Sequence, residues 1–453
     1  MSHDYKVIVD GIPVMNPPES SIPLEIAFLV NHRSGSGVYL WREKDRWVPR
    51  DPANNNLHLR ALGLGTKRGE ELMSPAEKAI LFVQTKNRVD YAAPIAGRIN
   101  GSYEWGSNSV LVTTGCQPVV PKAGDWSTLR KWFVELLLGE EQFLHHMGWW
   151  HQSRKNVLRK SDDALPGQVP IYVGPAGSGK SLLQGVTTSL IGGRSANPFL
   201  YMVGKSDFNA NLFQADHLVI EDQVYDSAGK ARNQFAARIK ELSVNHVHSM
   251  HGKGTDAVNN IRPKWRVSMS ANNEQVYRSV LPVIDDSLQD KIMLFRTGTE
   301  AAIPVDLKEP GGWEKWSCIM RDEMPALAHA VDEFEIPERM QDRRFGVAAY
   351  HDPTLVSEER EDSDEVALLG VIQHDLPEVI ATPMWEGKAL DLERILTGPH
   401  MASIVKTRQL LGWQKACGTY LGRLAKSYPE IVKKRMSRGH AMWTIDMVKL
   451  KDF

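Results

Sequence analysis

The spacing of apolar residues divides the chain into stretches of different character. Before residue 125, short apolar runs such as Gly37-Val-Tyr-Leu-Trp41 and Ser109-Val-Leu-Val-Thr113 sit between Pro-, Gly- and Asn-rich segments. That is the pattern of strands joined by turns. One helix is predicted among them, Ser74–Val83, with Ser74 as N-cap, Pro75 at the first helical position and Glu77 completing a capping box. From Asp125 to Val157 the period lengthens. Leu129, Trp132, Phe133, Leu136 and Leu137 recur at helical spacing and predict a helical collar, with Trp149-Trp-His-Gln152 in its core. After Val169 strands alternate with helices. Val169-Pro-Ile-Tyr-Val173 leads into a glycine-rich loop and a helix over Lys180–Leu190. Leu218-Val-Ile220 ends in two carboxylates, Trp265–Ser270 ends at an asparagine, and Lys291–Phe295 is a further strand. This alternation predicts a parallel α/β sheet whose ligand sits at the carboxyl ends of the strands. The tail reads as three helices and a β-hairpin. Leu410–Ser427 is an amphipathic helix, and Ile431–Met436 and Ala441–Ile445 flank Ser437-Arg-Gly-His440. That order suggests a winged helix.

Composition narrows the class. The chain has 453 residues, 42% hydrophobic and 24% charged, which fits a soluble globular protein of more than one domain. Cys116, Cys318 and Cys417 lie far apart with no metal-ligand spacing, which favours a reducing compartment. Met1–Asp10 lacks the pattern of a signal peptide, and no run approaches the roughly 20 apolar residues that span a bilayer. The expected location is the cytoplasm of a bacterial host cell, with no membrane partner. Net charge is −1, so any nucleic-acid binding must rest on local charge. Met401–Phe453 carries eleven Lys/Arg against three Asp/Glu, and eleven minus three gives +8. Ser357–Glu365 is acidic and reads as a solvated connector. The expected organisation is an α+β domain of unassigned role over 1–125, the collar over 126–160, a nucleotide-binding domain over 161–345, an acidic linker over 346–385 and a winged-helix-like DNA-binding domain over 386–453.

The chemistry is carried first by Gly174-Pro175-Ala176-Gly177-Ser178-Gly179-Lys180-Ser181, which matches G-x-x-x-x-G-K-[ST]. Glycines let the backbone fold into a nest whose N–H groups point at phosphate oxygens, and the helix that follows adds its positive end. Lys180 is expected on the β- and γ-phosphates of ATP and Ser181 on Mg²⁺. Glu221 and Asp222 at a strand end can complete the metal shell and polarise the attacking water, although a strand end is often only solvated. Glu221 is assigned to the metal and Asp222 to the water, with the reverse open. Asn272, in Ser268-Met-Ser-Ala-Asn-Asn273, is a candidate γ-phosphate sensor; the competing reading is a turn, for which Asn-Asn is well suited.

The order of glycine loop, Glu221-Asp222 and Ser270-Ala-Asn272 resembles the superfamily 3 helicases, a group within the AAA+ ATPases of viruses, plasmids and integrated elements. Phe208-Asn-Ala-Asn-Leu-Phe213, His217-Leu-Val-Ile-Glu-Asp222, His251-Gly-Lys253 and Arg262-Pro-Lys-Trp-Arg266 together resemble the phage-type primase-helicases. The likeness is good over residues 125–345, moderate in the tail and poor before residue 120. It implies an AAA+ P-loop core, a homo-hexameric ring, and a basic finger from the neighbouring subunit. The finger position falls on Lys291 in Leu288-Gln-Asp-Lys291, where the family has arginine; Arg296 and Arg278 are the alternatives. The likeness also implies a DNA-tracking hairpin over His246–Thr255. There Lys253 would grip a phosphate and His248 and His251 would touch the sugar-phosphate backbone. A solvated basic loop, or a zinc pair formed by the two histidines, are the competing readings. In the tail, Lys415, Arg423, Lys426, Arg435 and Arg438 are candidate duplex contacts, while Trp413, Tyr420 and Trp443 read as core. The function expected is ATP-driven unwinding of single-stranded and forked DNA in replication, with 3′ to 5′ polarity implied by the family. A separate primase or polymerase is a candidate partner, since no polymerase carboxylate triad stands out in residues 1–125. The rivals are an ATP-switched DNA-binding initiator or remodelling factor, a primase-helicase fusion, and a small-molecule kinase.

Overall fold

A computed structural model of the protein describes residues 25–30, 37–44, 46–221, 229–253, 257–273, 284, 287–298, 304–361, 364–437 and 439–452. It divides into two units, Met1–Tyr350 and His351–Phe453.

The apolar runs of the N-terminal region form two small sheets. Strands β1 (Ile26–Val30), β2 (Gly37–Glu43) and β3 (Arg46–Arg50), helices α1 (Pro52–Ala61) and α2 (Pro75–Lys86), and strand β4 (Arg88–Val89) make the first, in the order β3-β2-β1-β4. The predicted capping box on α2 is present: Glu77 N–H donates to Ser74 Oγ at 3.2 Å and Ser74 N–H donates to Glu77 Oε2 at 2.8 Å. Strands β5 (Tyr91–Ala93), β6 (Gly101–Trp105) and β7 (Asn108–Val112) make the second, in the order β5-β7-β6. Helix α1 was not anticipated, because PANNNLHLRA has no apolar stripe to announce it.

The collar is a helix pair, α3 (Ser127–Leu136) and α4 (Glu140–Leu158). Trp132, Phe133, Trp149 and Trp150 are all buried, and they join one hydrophobic core with Leu183, Val186 and Leu190.

The α/β region that follows contains β8 (Val169–Gly174), α5 (Lys180–Ile191), β9 (Ser195–Ala196), α6 (Phe199–Met202), β10 (His217–Glu221), α7 (Gly229–Val244), β11 (His248–Met250), β12 (Val258–Ile261), β13 (Arg266–Asn272), β14 (Ile292–Arg296) and α8 (Gly312–Asp332). Five of the strands form a parallel sheet in the order β14-β8-β13-β10-β9. Every residue of β8 is buried, as a strand covered on both faces requires. The last two strands in the sequence flank β8: β13 lies between β8 and β10, and β14 lies on its other side. The connections therefore diverge at the carboxyl end of β8, which is where α/β sheets bind ligands.

Residue 125 was expected to close a separate domain, yet residues 95–98 are built into the α/β region. Ala96 N–H donates to Phe213 O at 2.7 Å, Lys264 N–H donates to Ala96 O at 2.9 Å, and Gly97 N–H donates to Asp216 Oδ1 at 2.7 Å. Ile95 and Ala96 are fully buried.

The second unit contains α9 (Pro353–Glu361), α10 (Asp364–Asp375), β15 (Met384–Gly387), α11 (Ala389–Leu396), α12 (Ile404–Leu410), α13 (Ala416–Ser427), β16 (Val432–Ser437) and β17 (His440–Asp446). Its strands pair antiparallel in the order β15-β17-β16. Leu368, Leu369, Val371 and Ile372 of α10 share a core with Leu392, Leu421, Val432 and Trp443. This corrects the expectation of an acidic linker over 346–385. Acidic residues precede position 366, but the apolar run after it is buried, which makes α10 a structural part of the unit.

Candidate functional site

The loop after β8 rises between two strand ends. Gly174 lies opposite Asn272 of β13, and Val173 lies opposite Arg296 of β14. Gly174 is required by close approach, since a Cβ there would sit 2.1 Å from Thr297 Oγ1. Gly177 and Gly179 adopt φ of +75° and +102°, left-handed values that allow the loop to turn its N–H groups inward. Trp132 of the collar lies under Gly179, with Cζ2 3.2 Å from the place a Cβ would take. Helix α5 starts at Lys180, so its positive end faces the loop.

Lys180 is buried, and its ammonium bridges the mouth of the loop. Nζ donates to Gly174 O at 2.9 Å, to Pro175 O at 2.6 Å and to Asn272 Oδ1 at 3.2 Å. Carbonyl oxygens are weaker partners for an ammonium than phosphate oxygens, so these bonds are exchangeable. Ser181 is exposed on the first turn of α5, and Pro175, Ala176 and Ser178 complete the loop. Glu221 ends β10, exposed, in register with Ser270. Gln184 Nε2 donates to Ser268 Oγ at 2.9 Å and ties α5 to β13. The carboxyl end of the sheet thus gathers the loop, Asn272, Glu221 and Arg296. Asp222 and Arg278 lie outside the described residues.

Lys291 stands at the other end of the sheet. It immediately precedes β14, whose Ile292 pairs with Val169 at the start of β8. At about 3.3 Å per residue, Lys291 lies roughly 16 Å along the sheet from the loop of its own chain. Its ammonium donates to Ser287 O at 2.9 Å and to Asp290 Oδ1 at 2.5 Å. Arg296 is at the loop end instead. Its N–H donates to Gln142 Oε1 at 2.9 Å, and Gln142 Nε2 donates to Leu137 O at 2.6 Å, so one collar side chain braces the end of β14. Gln142, Trp132 and Thr297 belong to no linear motif. Only the fold brings them to the loop.

Strands β11 and β12 pair antiparallel, so only the first strand of this hairpin falls in the expected His246–Thr255 segment and the second, Val258–Ile261, lies beyond it. His251 and Lys253 follow β11 with exposed side chains. His248 differs: it is buried, with its ring 4.8 Å from that of Trp265 and 6.3 Å from that of Phe213. Burial lowers its pKa and keeps it neutral. His248 therefore cannot touch a sugar-phosphate backbone or share a zinc ion with exposed His251. Among the described residues no group of three or more His, Cys, Asp or Glu is placed to hold a metal. Asn209, in the Phe208–Phe213 stretch, has a role that sequence did not reveal. Its Oδ1 accepts from His251 N–H at 2.7 Å and its Nδ2 donates to Ser249 O at 3.1 Å, which fixes the outgoing end of β11.

In the second unit Lys415 and Lys426 are exposed. Arg423 Nη1 lies 3.4 Å from Glu365 Oε2, and Arg435 pairs with Glu386. Arg438 lies outside the described residues. Tyr420 and Trp443 are core, and Trp413 packs against that core, as expected.

No protein-family model matches the chain, and no curated protein matches it in sequence. Among solved structures, the apo structure of the NrS-1 C terminal region (305-718) is similar at TM-score 0.51 and 13% identity, covering 93% of this chain and 96% of that one. The A form apo structure of the NrS-1 C terminal region is similar at 0.50 and 12%, with the same coverage. The X-ray structure of JCV Helicase aligns at TM-score 0.24 and 14% identity over 53% of this chain and 66% of that one. The first two likenesses establish a shared mixed α/β fold. Among the described residues no helix is long and apolar enough to cross a membrane.

Proposed function

We propose that the protein is an ATP- and Mg²⁺-dependent DNA helicase of the superfamily 3 type, acting as a homo-hexameric ring that translocates on single-stranded DNA in the replication of a phage or mobile element. The observation that carries this reading is the bridge from Lys180 Nζ to the loop carbonyls and Asn272 Oδ1. It places a cation and an amide side by side, at the spot where the loop and the positive end of α5 converge.

The residues fit the cofactor. Two left-handed glycines shape the nest, Lys180 would meet phosphate oxygens, and the exposed Ser181 hydroxyl would be a metal ligand. When bound, Mg²⁺ neutralises charge on the phosphates. Ser181 and Glu221 would hold it, Lys180 would stabilise the leaving phosphate oxygens, and Asp222 would polarise the attacking water. Asn272 would sense the γ-phosphate, and its bond to Lys180 would exchange when that group departs. Lys291 is the trans finger in this reading, because its own loop is out of its reach; Arg296 stays with its own loop.

The Lys253 hairpin would grip the strand. The succession α10, β15, α11, α12, α13, β16, β17, with helices before a terminal hairpin, supports reading this unit as winged-helix-like. In it, Lys415, Arg423, Lys426, Arg435 and Arg438 would hold duplex phosphates. The pairs of Arg423 with Glu365 and Arg435 with Glu386 are partly exposed, so exchange for phosphate costs little.

The test is steady-state ATP hydrolysis with and without single-stranded DNA, for the wild type and Lys180→Ala. DNA-stimulated turnover, with a loss of about 100-fold or more in Lys180→Ala, is expected. Turnover that depends on Lys180 but ignores DNA across salt conditions would remove the translocase and leave an ATP-driven switch or a small-molecule enzyme.

A further inference from the structure

The N-terminal sheet reaches the β11–β12 hairpin directly. Asn108, at the start of β7, donates from Nδ2 to Asn259 O of β12 at 2.7 Å. One residue on, Asn260 has φ of +61°, a left-handed value that is uncommon for a residue with a side chain. It faces Gly106, also left-handed at +66°. A Cβ at Gly106 would stand 2.5 Å from Asn260 Nδ2 and 3.6 Å from Asn260 Cβ. The β6–β7 turn and β12 are therefore fitted closely to each other, with the Asn260 side chain against the bare Cα of Gly106. Below this contact Arg98 donates from Nε and Nη2 to Arg262 O at 2.9 and 2.6 Å, just past the end of β12. The Arg98 guanidinium is itself stacked near Trp105 of β6, 5.1 Å from the ring centroid. On the other strand Asn209 holds Ser249 and His251. Each strand of the hairpin is thus gripped by a different part of the molecule, with the His251 backbone at the grip on β11 and Lys253 beyond it.

We infer that Gly106 and Asn108 of the β6–β7 turn are positioning residues for the hairpin, so that the hairpin and the N-terminal sheet move as one body. This rests on the helicase reading and gives residues 91–112 a part in it. A hairpin rooted on a sheet transmits a displacement of that sheet to the strand it grips. A hairpin free at β12 would instead bend under load, so hydrolysis would lose its link to DNA.

The experiment has two arms on the full chain. Asn108→Ala removes the donor to Asn259. DNA-stimulated ATP hydrolysis and unwinding should fall about 3- to 10-fold, the scale of one lost hydrogen bond, with hydrolysis in the absence of DNA unchanged. Asn108→Gln, which keeps the amide donor, should recover part of the loss. In the second arm, Gly106→Cys with Asn260→Cys creates a pair at a Cβ separation suited to a disulfide. Oxidised and reduced forms should stimulate and unwind alike, because the two elements already travel together. Loss of stimulation on oxidation with recovery on reduction would show that they separate during the cycle and would overturn the inference. Full DNA stimulation in Asn108→Ala would do the same. A wild type whose hydrolysis ignores DNA removes the helicase reading and this inference with it, whereas a stimulated wild type with an unaffected variant removes this inference alone.

Discussion

The two ends of the five-stranded sheet carry similar residues and put them to different use. Strand β13 shows this within one element. At its amino end Arg266 is buried, donates from Nη1 to Leu165 O at 3.2 Å and Trp265 O at 3.1 Å, and has its pKa pulled down to about 10 by burial. Lys264, two residues before, donates to Arg159 O at 2.6 Å and is pulled down to about 8, chiefly by burial. These cations close off loop carbonyls and serve the fold. At the carboxyl end Asn272 meets Lys180, where the partners are exchangeable and the helix α5 dipole converges. Cations serve the fold at the amino end and, in the proposed reading, the nucleotide at the other, because in parallel α/β sheets ligands bind outside the carboxyl ends of the strands.

Replacing Asn272 tests the chemical end. Asn272→Ala should lower the kcat for ATP hydrolysis by roughly 10²- to 10³-fold, the scale of a lost transition-state donor, with little change in nucleotide affinity. A variant with normal kcat would make Asn272 a turn residue and dissolve the contrast between the ends.

Lys291 sharpens the contrast, since it lies at the structural end yet is proposed to act on a neighbour. Lys291→Ala should lose about tenfold or more in hydrolysis. Mixing it with Lys180→Ala subunits should restore part of the activity, because some sites then combine an intact loop with an intact neighbouring lysine. If no mixture recovers turnover, the lysine serves only the fold, through Asp290 and Ser287.

The smallest effect expected is on stability. His146, behind β8, and His217, at the amino end of β10, are fully buried, and burial lowers each pKa to about 3. Each folded pKa lies below the unfolded value near 6.5, so the unfolded chain binds more protons as pH falls. Stability is fully present above about pH 6.5 and is lost as pH drops toward 3, at roughly 1 kcal/mol per pH unit for each group. Melting temperatures measured from pH 8 to pH 5 should fall, and His146→Gln should flatten the slope. A flat profile in the wild type would mean that these rings are solvated.

Much of the fold was legible in advance where local signals suffice. The capping box at Ser74 and Glu77, the helical period of the collar and the apolar strand Val169–Val173 each depend on neighbours in sequence. The candidate site was legible as far as its motifs are contiguous, which covers Gly174–Ser181 and the strand ends at Glu221 and Asn272. Helix α1 and helix α10 were missed, because the first has no apolar stripe and the second follows a charged run. His248 was misplaced because two histidines three apart look alike in sequence, although one turns inward to Phe213 and Trp265 and the other outward.

By itself the sequence determined the glycine loop, its lysine and the alternation of strands and helices, since these follow from backbone freedom, charge and periodicity over a few residues. Only the tertiary structure decided that β13 inserts beside β8 and so brings Asn272 to Lys180. It alone removed Lys291 from its own loop and joined Asn108 to the hairpin. The physical reason is common to all three. Strand order and the packing of distant segments depend on which buried faces and hydrogen-bonding edges fit together across the chain, and no local pattern encodes that fit.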